Sequence, residues 1–212
     1  MPGDDKMKSA YCLLKLLHEN IPFFPLAYFN YYFLEFSGIP KKQPTRFDGQ
    51  IIQATEKNLK ELIQTFQQKA KKFSDRLDHN QIIILARDLD GRIVGYENLD
   101  LSSEHLESHS GIVIKIPPNS IYLYDAYILP EYRLKGVWIG FKNKISEIMV
   151  EHNRRRLFTF VDYENSLSLK SHLQFGFKIY ENRKIWKIFG KPFCFTYPVQ
   201  HDLNLIRALL NH

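Results

Sequence analysis

The chain has 212 residues, of which 44% are hydrophobic and 25% are charged, a composition that indicates a folded globular protein and excludes a disordered or fibrous one. This length accommodates one complete hydrophobic core, or one core domain with a small extension. The formal net charge of +6 favours anionic partners, among which phosphate-bearing small molecules, nucleic acid and a membrane surface all qualify.

Residues 1–46 are predicted to form an N-terminal helical extension followed by a linker. Tyr11, Leu14 and Leu17 have the spacing of a short amphipathic helix, and the aromatic run at residues 26–36 is predicted to be a helix that packs on the main domain. Alternatives for this run are a homodimer contact, a lid over a substrate site, and interfacial membrane binding. A bilayer span needs about 20 apolar residues, so the run is too short to be a transmembrane segment.

The two cysteines bear on the compartment of the protein. Cys12 and Cys194 lie far apart in the sequence and have no metal-ligand spacing, which suits a reducing environment better than a disulfide scaffold. The sequence therefore predicts a cytoplasmic protein.

Residues 47–212 are predicted to form one mixed α/β domain. Its first half begins with a strand at residues 51–52 and a helix capped by Thr55, and continues with a hairpin whose strands are residues 82–86 and 93–99. Residues 102–110 are predicted to be a polar loop. This loop contains two histidines and two glutamates, but their spacing matches no zinc motif, so no metal site is predicted.

The stretch from residue 122 to 176 has the order strand, glycine-containing turn, helix, strand and helix, and its last helix is predicted to be capped by Asn165 and ended by Gly176. Beyond it, the sequence predicts strands at residues 178–180 and 184–189 with a turn at residues 181–183, and a last helix capped by Asp202. The strand at 122–129 stops at Pro130, and the turn that follows places Gly136 beside the cations Arg133 and Lys135. The first turn of a helix carries N–H groups without partners and the positive end of the helix dipole, which together bind anions such as phosphates. An ordinary strand-to-helix turn is the alternative.

The spacing in this stretch resembles the acetyl-CoA-binding core of the GNAT N-acetyltransferase superfamily. The family carries an apolar residue two positions before a Pro, then Arg or Gln, two residues, Gly, one residue, and Gly or Ala. This sequence has Ile128-Leu129-Pro130 followed by Arg133-Leu134-Lys135-Gly136-Val137-Trp138, and it also resembles the family downstream at Asn165, Ser168 and Gly176-Phe177. The resemblance covers residues 50–197 by the order of elements and residues 125–177 by motif.

The resemblance implies a fold and a cofactor site. The expected fold is a central mixed, mostly antiparallel sheet flanked by helices, with the N-terminal helical aromatic-rich extension in addition. The residues that are expected to contact acetyl-CoA are Ile128, Arg133, Leu134, Lys135, Gly136, Val137, Trp138, Asn165 and Ser168. Trp138 departs from the family pattern, which has a small residue there, and a large side chain at this position could narrow the cofactor site unless its ring turns into the core.

The resemblance also implies two catalytic residues. Asp125 lies where many relatives carry an acidic residue that removes a proton from the amine, directly or through water; a strand-end Asp that holds a loop is the alternative. The family's usual proton donor is a Tyr four residues before the Gly of Gly-Phe, and that position here is His172, whose imidazole can also donate a proton. A packing histidine is the alternative, and Tyr124, Tyr127 and Tyr132 are rival donors.

These observations predict an acyl-CoA-dependent N-acyltransferase, most simply one that transfers acetyl from acetyl-CoA to an amine of unknown identity in a ternary complex. Two alternatives remain open. The first is a non-catalytic GNAT-fold interaction module, and the second is an acyltransferase that uses a longer acyl chain or a carrier-protein donor. No nucleic-acid partner is predicted.

Overall fold

The structure is a computed structural model that describes Leu13, residues 25–67, Phe73, Asp75, Arg76 and residues 81–198. The predicted helix around Tyr11 and Leu17, like the predicted last helix after Asp202, lies outside these residues. In chain order the elements are β1 (Leu26–Ser37), β2 (Gln50–Gln53), α1 (Glu56–Thr65), β3 (Ile82–Arg87), β4 (Ile93–Asp100), β5 (Glu104–Glu107), β6 (Ile112–Lys115), β7 (Ser120–Ile128), a 3-10 turn (Pro130–Tyr132), α2 (Val137–Glu151), β8 (Arg156–Asp162), α3 (Ser166–Phe175), β9 (Lys178–Ile188) and β10 (Lys191–Tyr197).

The chain divides into two compact units, and the larger part of the predicted site lies in one of them. The first unit contains residues 1–36, 104–115 and 160–212, and the second contains residues 37–103 and 116–159. The predicted boundary between an extension at 1–46 and a domain at 47–212 remains a prediction.

The second unit is a sheet of strands in the order β8-β7-β4-β3-β2, with helices α1 and α2. All neighbouring strands in it are antiparallel except β7 and β8, which are parallel. Tyr96, Leu62 and Phe73 belong to the hydrophobic core on the side of α1, while α2 buries Phe141 and Ile145. Strand β4 is buried along its whole length, because helices cover both faces of a central strand in a fold of this class.

The first unit contains the strands β10, β9 and β1 in that order, the β5–β6 hairpin and helix α3. Strand β1 is antiparallel to β9 from Leu26 opposite Ile188 to Glu35 opposite Lys178. The end of β8 also belongs to this unit, and the Phe160 ring stacks on Tyr31 with a centroid distance of 4.3 Å.

The aromatic run at residues 26–36 is a strand, so the prediction of a helix there is wrong. Apart from Asn30 and Glu35 the run is apolar or aromatic, so it shows no helical period, and aromatic side chains favour a strand that is covered on both faces. Its four central side chains, Tyr31 to Leu34, are at most 4% exposed. A homodimer through this segment stays a prediction, but these side chains offer it no surface.

Two smaller predictions of local structure are also corrected. The polar loop predicted at residues 102–110 contains strand β5, which pairs with β6. Strand β9 is continuous through residues 181–183, where the sequence predicts a turn. Asn182 is buried there, and its amide donates to Asn30 Oδ1 at 2.7 Å and to the Tyr31 carbonyl at 3.2 Å, which satisfies a polar side chain inside the strand.

Among the described residues, no helix has both the length and the apolar character required to span a membrane. The same part of the chain contains no cluster of three or more His, Cys, Asp or Glu side chains arranged to hold a metal ion.

Candidate functional site

The pairing of β7 with β8 ends early, and no other strand of the described residues pairs with that edge of β7. The parallel pairs are Ser120 with Arg156, Ile121 with Leu157 and Tyr122 with Phe158, whereas β7 continues to Ile128. On its other edge, β7 stays paired with β4 as far as Ile128 opposite Gly95. The segment of β7 beyond its β8 pairing is therefore where an extended ligand can lie along the strand.

A β-bulge interrupts β7 at Asp125. The register with β4 shifts between Tyr96 and Asn98, so Glu97 lies opposite both Asp125 and Ala126. Asp125 has a φ of 45°, a left-handed value that Asp and Asn tolerate better than most residues. The Asn98 amide donates to the Asp125 carbonyl at 2.9 Å and holds the bulge in place.

The carboxylate of Asp125 is held by two side chains of the same unit. Arg76 donates from Nη2 to Oδ2 at 2.7 Å, and the Tyr96 hydroxyl lies 3.4 Å from Oδ1. The Arg76 guanidinium lies 4.9 Å from the centroid of the Tyr124 ring. Burial, followed by the negative charge of Asp125, raises the pKa of Tyr96, so Tyr96 stays a neutral hydrogen-bond donor. Asp125 itself is 22% exposed at its side chain, so solvent or a substrate can reach it.

The turn after β7 bends the backbone toward α2. The Leu129 amide donates to the Val94 carbonyl at 2.9 Å and closes the strand pair. Arg133 turns back and donates from Nε to the Ile128 carbonyl at 3.1 Å. This carbonyl, which was predicted to contact the cofactor, is therefore engaged with Arg133. Leu134 adopts a φ of 61° and is 90% exposed.

The first turn of α2 has backbone N–H groups without partners. Gly136 is the N-cap with a φ of 87°, and no side chain caps the helix. Within the described chain, no acceptor is in hydrogen-bonding geometry with the amides of Lys135, Gly136 or Val137. Such amides bind anions, and the left-handed conformation before them turns successive N–H groups toward a common point. Lys135 is exposed and adds a positive charge.

Residues 41–47, called here the strap, run along one side of α2. The backbone N–H of Gln43 donates to Asn143 Oδ1 at 2.9 Å, and Asn143 Nδ2 donates to the backbone carbonyl of Gln43 at 2.8 Å. Thr45 Oγ1 donates to the Gly136 carbonyl at 2.8 Å. These bonds place the strap beside α2 and against its N-cap residue.

Both the close packing of the strap and the left-handed backbone conformation favour a glycine at position 136. A Cβ at this position would lie 2.6 Å from Thr45 Oγ1, 2.7 Å from the Arg46 nitrogen and 3.0 Å from the Phe47 nitrogen. The glycine therefore serves the packing of the chain itself, in addition to the close approach of a ligand that the sequence predicts.

The indole of Trp138 faces a buried ion pair. Lys142 Nζ lies 4.8 Å from the centroid of the Trp138 ring, and the same ammonium bonds to Glu97 on β4. Lys142 and Glu97 are 0% and 3% exposed at their side chains, and burial is the largest effect that lowers the pKa of Lys142. Lys142 is one turn further along α2, so the contact joins two residues on the same side of the helix.

Asn165 and Ser168 lie in the first unit and cap α3. The Asn165 side chain accepts from the Ser168 amide at 3.1 Å, and the helix begins at Ser166. This confirms the N-cap that the sequence predicts for Asn165. A contact of either residue with a cofactor stays a prediction.

His172 is buried in α3 of the first unit with an exposure of 7%. Its Nδ1 lies 2.8 Å from the Ser168 carbonyl oxygen. A carbonyl can only accept a hydrogen bond, so Nδ1 carries the proton in this contact. Phe177 packs edge-on against the imidazole with a centroid distance of 5.0 Å. As a proton donor, His172 would have to act from Nε2 as the imidazolium, and its catalytic role stays a prediction.

The structure thus brings Asp125, Ile128 and the turn at residues 133–138 together in the second unit, whereas Asn165, Ser168 and His172 share one helix of the first. Sequence reasoning missed Arg76, Asn98, Glu97 and Lys142, which hold the bulge and the helix. One signal was available: β4 contains Glu97, Asn98 and Asp100 within a strand whose other residues are mostly apolar, and buried polar residues need specific partners.

No model of a protein family matches this sequence, and no curated protein does. Solved structures do resemble it. A fungal multi-domain GH3 beta-N-acetylglucosaminidase contains a GCN5-related glucosamine N-acetyltransferase region that matches with a TM-score of 0.55 at 15% identity, covering 77% of this chain and 21% of that one. The tandem GNAT protein of the clavulanic acid biosynthesis pathway matches with a TM-score of 0.52 at 11% identity, covering 74% of this chain and 52% of that one.

This chain has the GNAT fold. The predicted mixed α/β architecture, with a mostly antiparallel sheet and flanking helices, is thereby confirmed. A functionally unknown conserved protein from Staphylococcus epidermidis ATCC 12228 also matches, with a TM-score of 0.54 at 11% identity, covering 84% of this chain and 67% of that one. The chain spans from 21% to 67% of the length of these three structures.

Proposed function

We propose that this chain is an acetyl-CoA-dependent N-acetyltransferase that transfers the acetyl group directly to an amine. One observation carries the proposal: among the described residues, the pairing of β7 with β8 ends at Tyr122, and the turn that follows β7 leads to a helix start whose amides at Lys135–Val137 have no hydrogen-bond acceptor there. Consecutive backbone donors of this kind suit a ligand with an extended amide-containing arm and a diphosphate.

In this proposal each group of the second unit has one task. The amides of Lys135, Gly136 and Val137 bind the diphosphate, and the charge of Lys135 supports them. The part of β7 beyond its β8 pairing aligns the pantetheine arm by backbone hydrogen bonds. The attacking amine forms a bond to the thioester carbon and loses a proton to Asp125, and the carbon–sulfur bond then breaks to release the CoA thiolate.

Titration calorimetry with acetyl-CoA tests the site. Lys135→Glu should weaken the affinity about tenfold or more, because it replaces a favourable charge beside the diphosphate by a repulsive one. Lys60→Glu is the matched control, because it changes the net charge equally from an exposed position on α1. Equal affinities of the two variants would contradict the placement of the diphosphate.

The donor and the acceptor are tested by thiol release. Thiol release should be faster with acetyl-CoA than with octanoyl-CoA. The opposite order would favour the alternative that the protein transfers a longer acyl chain. The amine screen begins with glucosamine, since the fungal structure with a similar fold is named a glucosamine N-acetyltransferase, and it continues with polyamines and peptide amines.

A non-catalytic binding module is a second candidate, and the ion pair between Asp125 and Arg76 favours it. A carboxylate that is held at 2.7 Å by a guanidinium also fits a purely structural role. Absence of heat with acetyl-CoA at high micromolar concentration would support this candidate over the transferase.

A further inference from the structure

The proposed transfer needs a proton donor for the leaving thiolate, and this inference rests on the proposed function. The sequence offers several donors near Asp125, namely Tyr124, Tyr127 and Tyr132, besides His172 in the other unit. In the second unit, the hydrogen bonds of the three tyrosine hydroxyls distinguish among them.

Two of the three hydroxyls already donate within the protein. Tyr124 donates to Gln81 Oε1. Tyr132 donates to Asp88 Oδ2 at 2.6 Å, and this bond is the largest cause that raises the pKa of Tyr132. A hydroxyl that already donates a hydrogen bond must break it before it can protonate another group, so both tyrosines are poorly placed as acids.

Tyr127 differs from both. Its hydroxyl has no hydrogen-bond partner in the described part of the chain, and the side chain is half-buried, so the ring is fixed while a substrate can reach the hydroxyl. The ring packs edge-on to Phe66 at 5.7 Å, and the Arg133 guanidinium lies 5.8 Å from its centroid.

Tyr127 and Asp125 both contact the same residue, Tyr96. Tyr127 lies opposite Tyr96 in the strand register, and the two rings stack with a centroid distance of 6.2 Å and an interplanar angle of 24°. The hydroxyl of the same Tyr96 contacts the Asp125 carboxylate at 3.4 Å. One side chain of β4 therefore packs against the ring of Tyr127 and contacts the carboxylate of Asp125, and both residues lie where β7 has lost its β8 neighbour.

We propose that Tyr127 is the proton donor of the reaction. As the carbon–sulfur bond of the tetrahedral intermediate breaks, the electron pair goes to sulfur, and the phenolic proton of Tyr127 moves to that sulfur to give the free thiol. The amine proton has meanwhile gone to Asp125. Transfer of a proton from Asp125 to the phenolate, through water, returns both groups to their starting states, and no further reactant is needed.

The test compares Tyr127→Phe with wild-type protein, with acetyl-CoA as donor and glucosamine or propylamine as acceptor, following CoA thiol release. The variant removes only a hydroxyl that has no hydrogen-bond partner among the described residues, so its melting temperature should match that of the wild type. We expect kcat to fall about 100-fold, in the range of general acid catalysis, with the dissociation constant of acetyl-CoA unchanged within twofold. Tyr127→His keeps a proton donor and should regain at least tenfold over Tyr127→Phe.

Parallel variants separate the rivals. Tyr197→Phe, on the exposed strand β10, is the control for loss of a tyrosine hydroxyl and should keep the wild-type kcat. If Tyr132→Phe or His172→Asn shows the 100-fold loss and Tyr127→Phe stays within twofold of wild type, the inference is overturned and the transferase proposal stands. If wild-type protein does not bind acetyl-CoA, or binds it and releases no thiol with either amine, the transferase proposal fails and this inference fails with it.

Discussion

Arg76 Nη2 lies 2.7 Å from Asp125 Oδ2, although 49 residues separate them in the sequence. The bulge in β7 gives Asp125 its left-handed backbone, and the guanidinium then fixes the direction of the carboxylate. This arrangement suits a catalytic base and suits a structural ion pair equally well. Substitution of each partner separately distinguishes the two roles.

Asp125→Asn should lower turnover about 100-fold, because an amide cannot accept the amine proton, while the acetyl-CoA affinity stays unchanged. Asn also tolerates the φ of 45°, so the backbone is matched. Arg76→Gln keeps the carboxylate and should retain most of the turnover. If instead both variants lose stability and neither loses turnover, the ion pair is structural; steady-state kinetics and urea unfolding measure the two quantities.

Gly91, which has a similar φ in the turn between β3 and β4, serves as a control for the cost of adding a side chain at Gly136. The φ values are 87° at Gly136 and 81° at Gly91, but only Gly136 has atoms of the strap within 3.0 Å of a built Cβ, while Gly91 has nothing within 4 Å. Gly91→Ala should cost about 1–2 kcal/mol from the left-handed backbone alone. Gly136→Ala should cost about 1–3 kcal/mol more from the forced shift of Thr45 and Arg46. Equal losses of unfolding free energy for the two variants in urea would show that Thr45 and Arg46 shift at no cost.

The buried pair of Lys142 and Glu97 should behave asymmetrically on substitution. Lys142→Met leaves a buried carboxylate without its partner and should cost about 3–5 kcal/mol of unfolding free energy. Glu97 Oε2 already lacks a hydrogen-bond partner among the described residues, so the double variant Lys142→Met/Glu97→Leu should recover most of this loss. A double variant no more stable than Lys142→Met would contradict the expectation.

Trp138→Ala tests whether the indole obstructs the cofactor. Because the ring lies against Lys142 at 4.8 Å, its removal should change the acetyl-CoA dissociation constant by less than about threefold, which is less than 1 kcal/mol. A tenfold gain in affinity would show that the ring narrows the site. Trp186→Phe, in β9 of the first unit, is the control for loss of a tryptophan.

The bond between Tyr132 and Asp88 predicts a pH-dependent contribution to stability. It lowers the pKa of Asp88 below its ordinary value of 3.8. A carboxyl whose folded-state pKa is depressed stabilises the protein above its unfolded pKa and loses that contribution as the pH falls through the folded value.

Tyr132→Phe should therefore be less stable than wild type at pH 7, and the difference should shrink below pH 3.8. The raised pKa of Tyr132 predicts a second loss as the pH rises through its folded value, above 10.0. Urea midpoints at several pH values measure this difference. A difference that is independent of pH would exclude the hydrogen bond as its source.

The sequence predicts elements well where the cause is local. The cap at Thr55, the start of α2 after Gly136 and the left-handed end of α3 at Gly176, with a φ of 111°, follow the predicted boundaries. Each depends on one residue's own backbone preference or on a side chain within four positions.

The aromatic segment shows where local reasoning fails. Apart from Asn30 and Glu35, residues 26–36 are apolar or aromatic, and their partner strand β9 is more than 140 positions away in the sequence. A period of 2 or 3.6 appears only when one face is polar, so the pattern did not distinguish a helix from a strand covered on both faces.

By itself, the sequence determined the order of strand, turn and helix around Gly136 and hence the place where an anion would meet unpaired amides, because glycine conformation and helix polarity act within a few residues. Only the tertiary structure decided that Arg76 holds Asp125, that Lys142 contacts both Glu97 and the ring of Trp138, and that no described residue hydrogen-bonds to the Tyr127 hydroxyl. These contacts join residues that are distant along the chain, and their geometry arises from the packing of strands and helices, for which a local sequence pattern carries no signal.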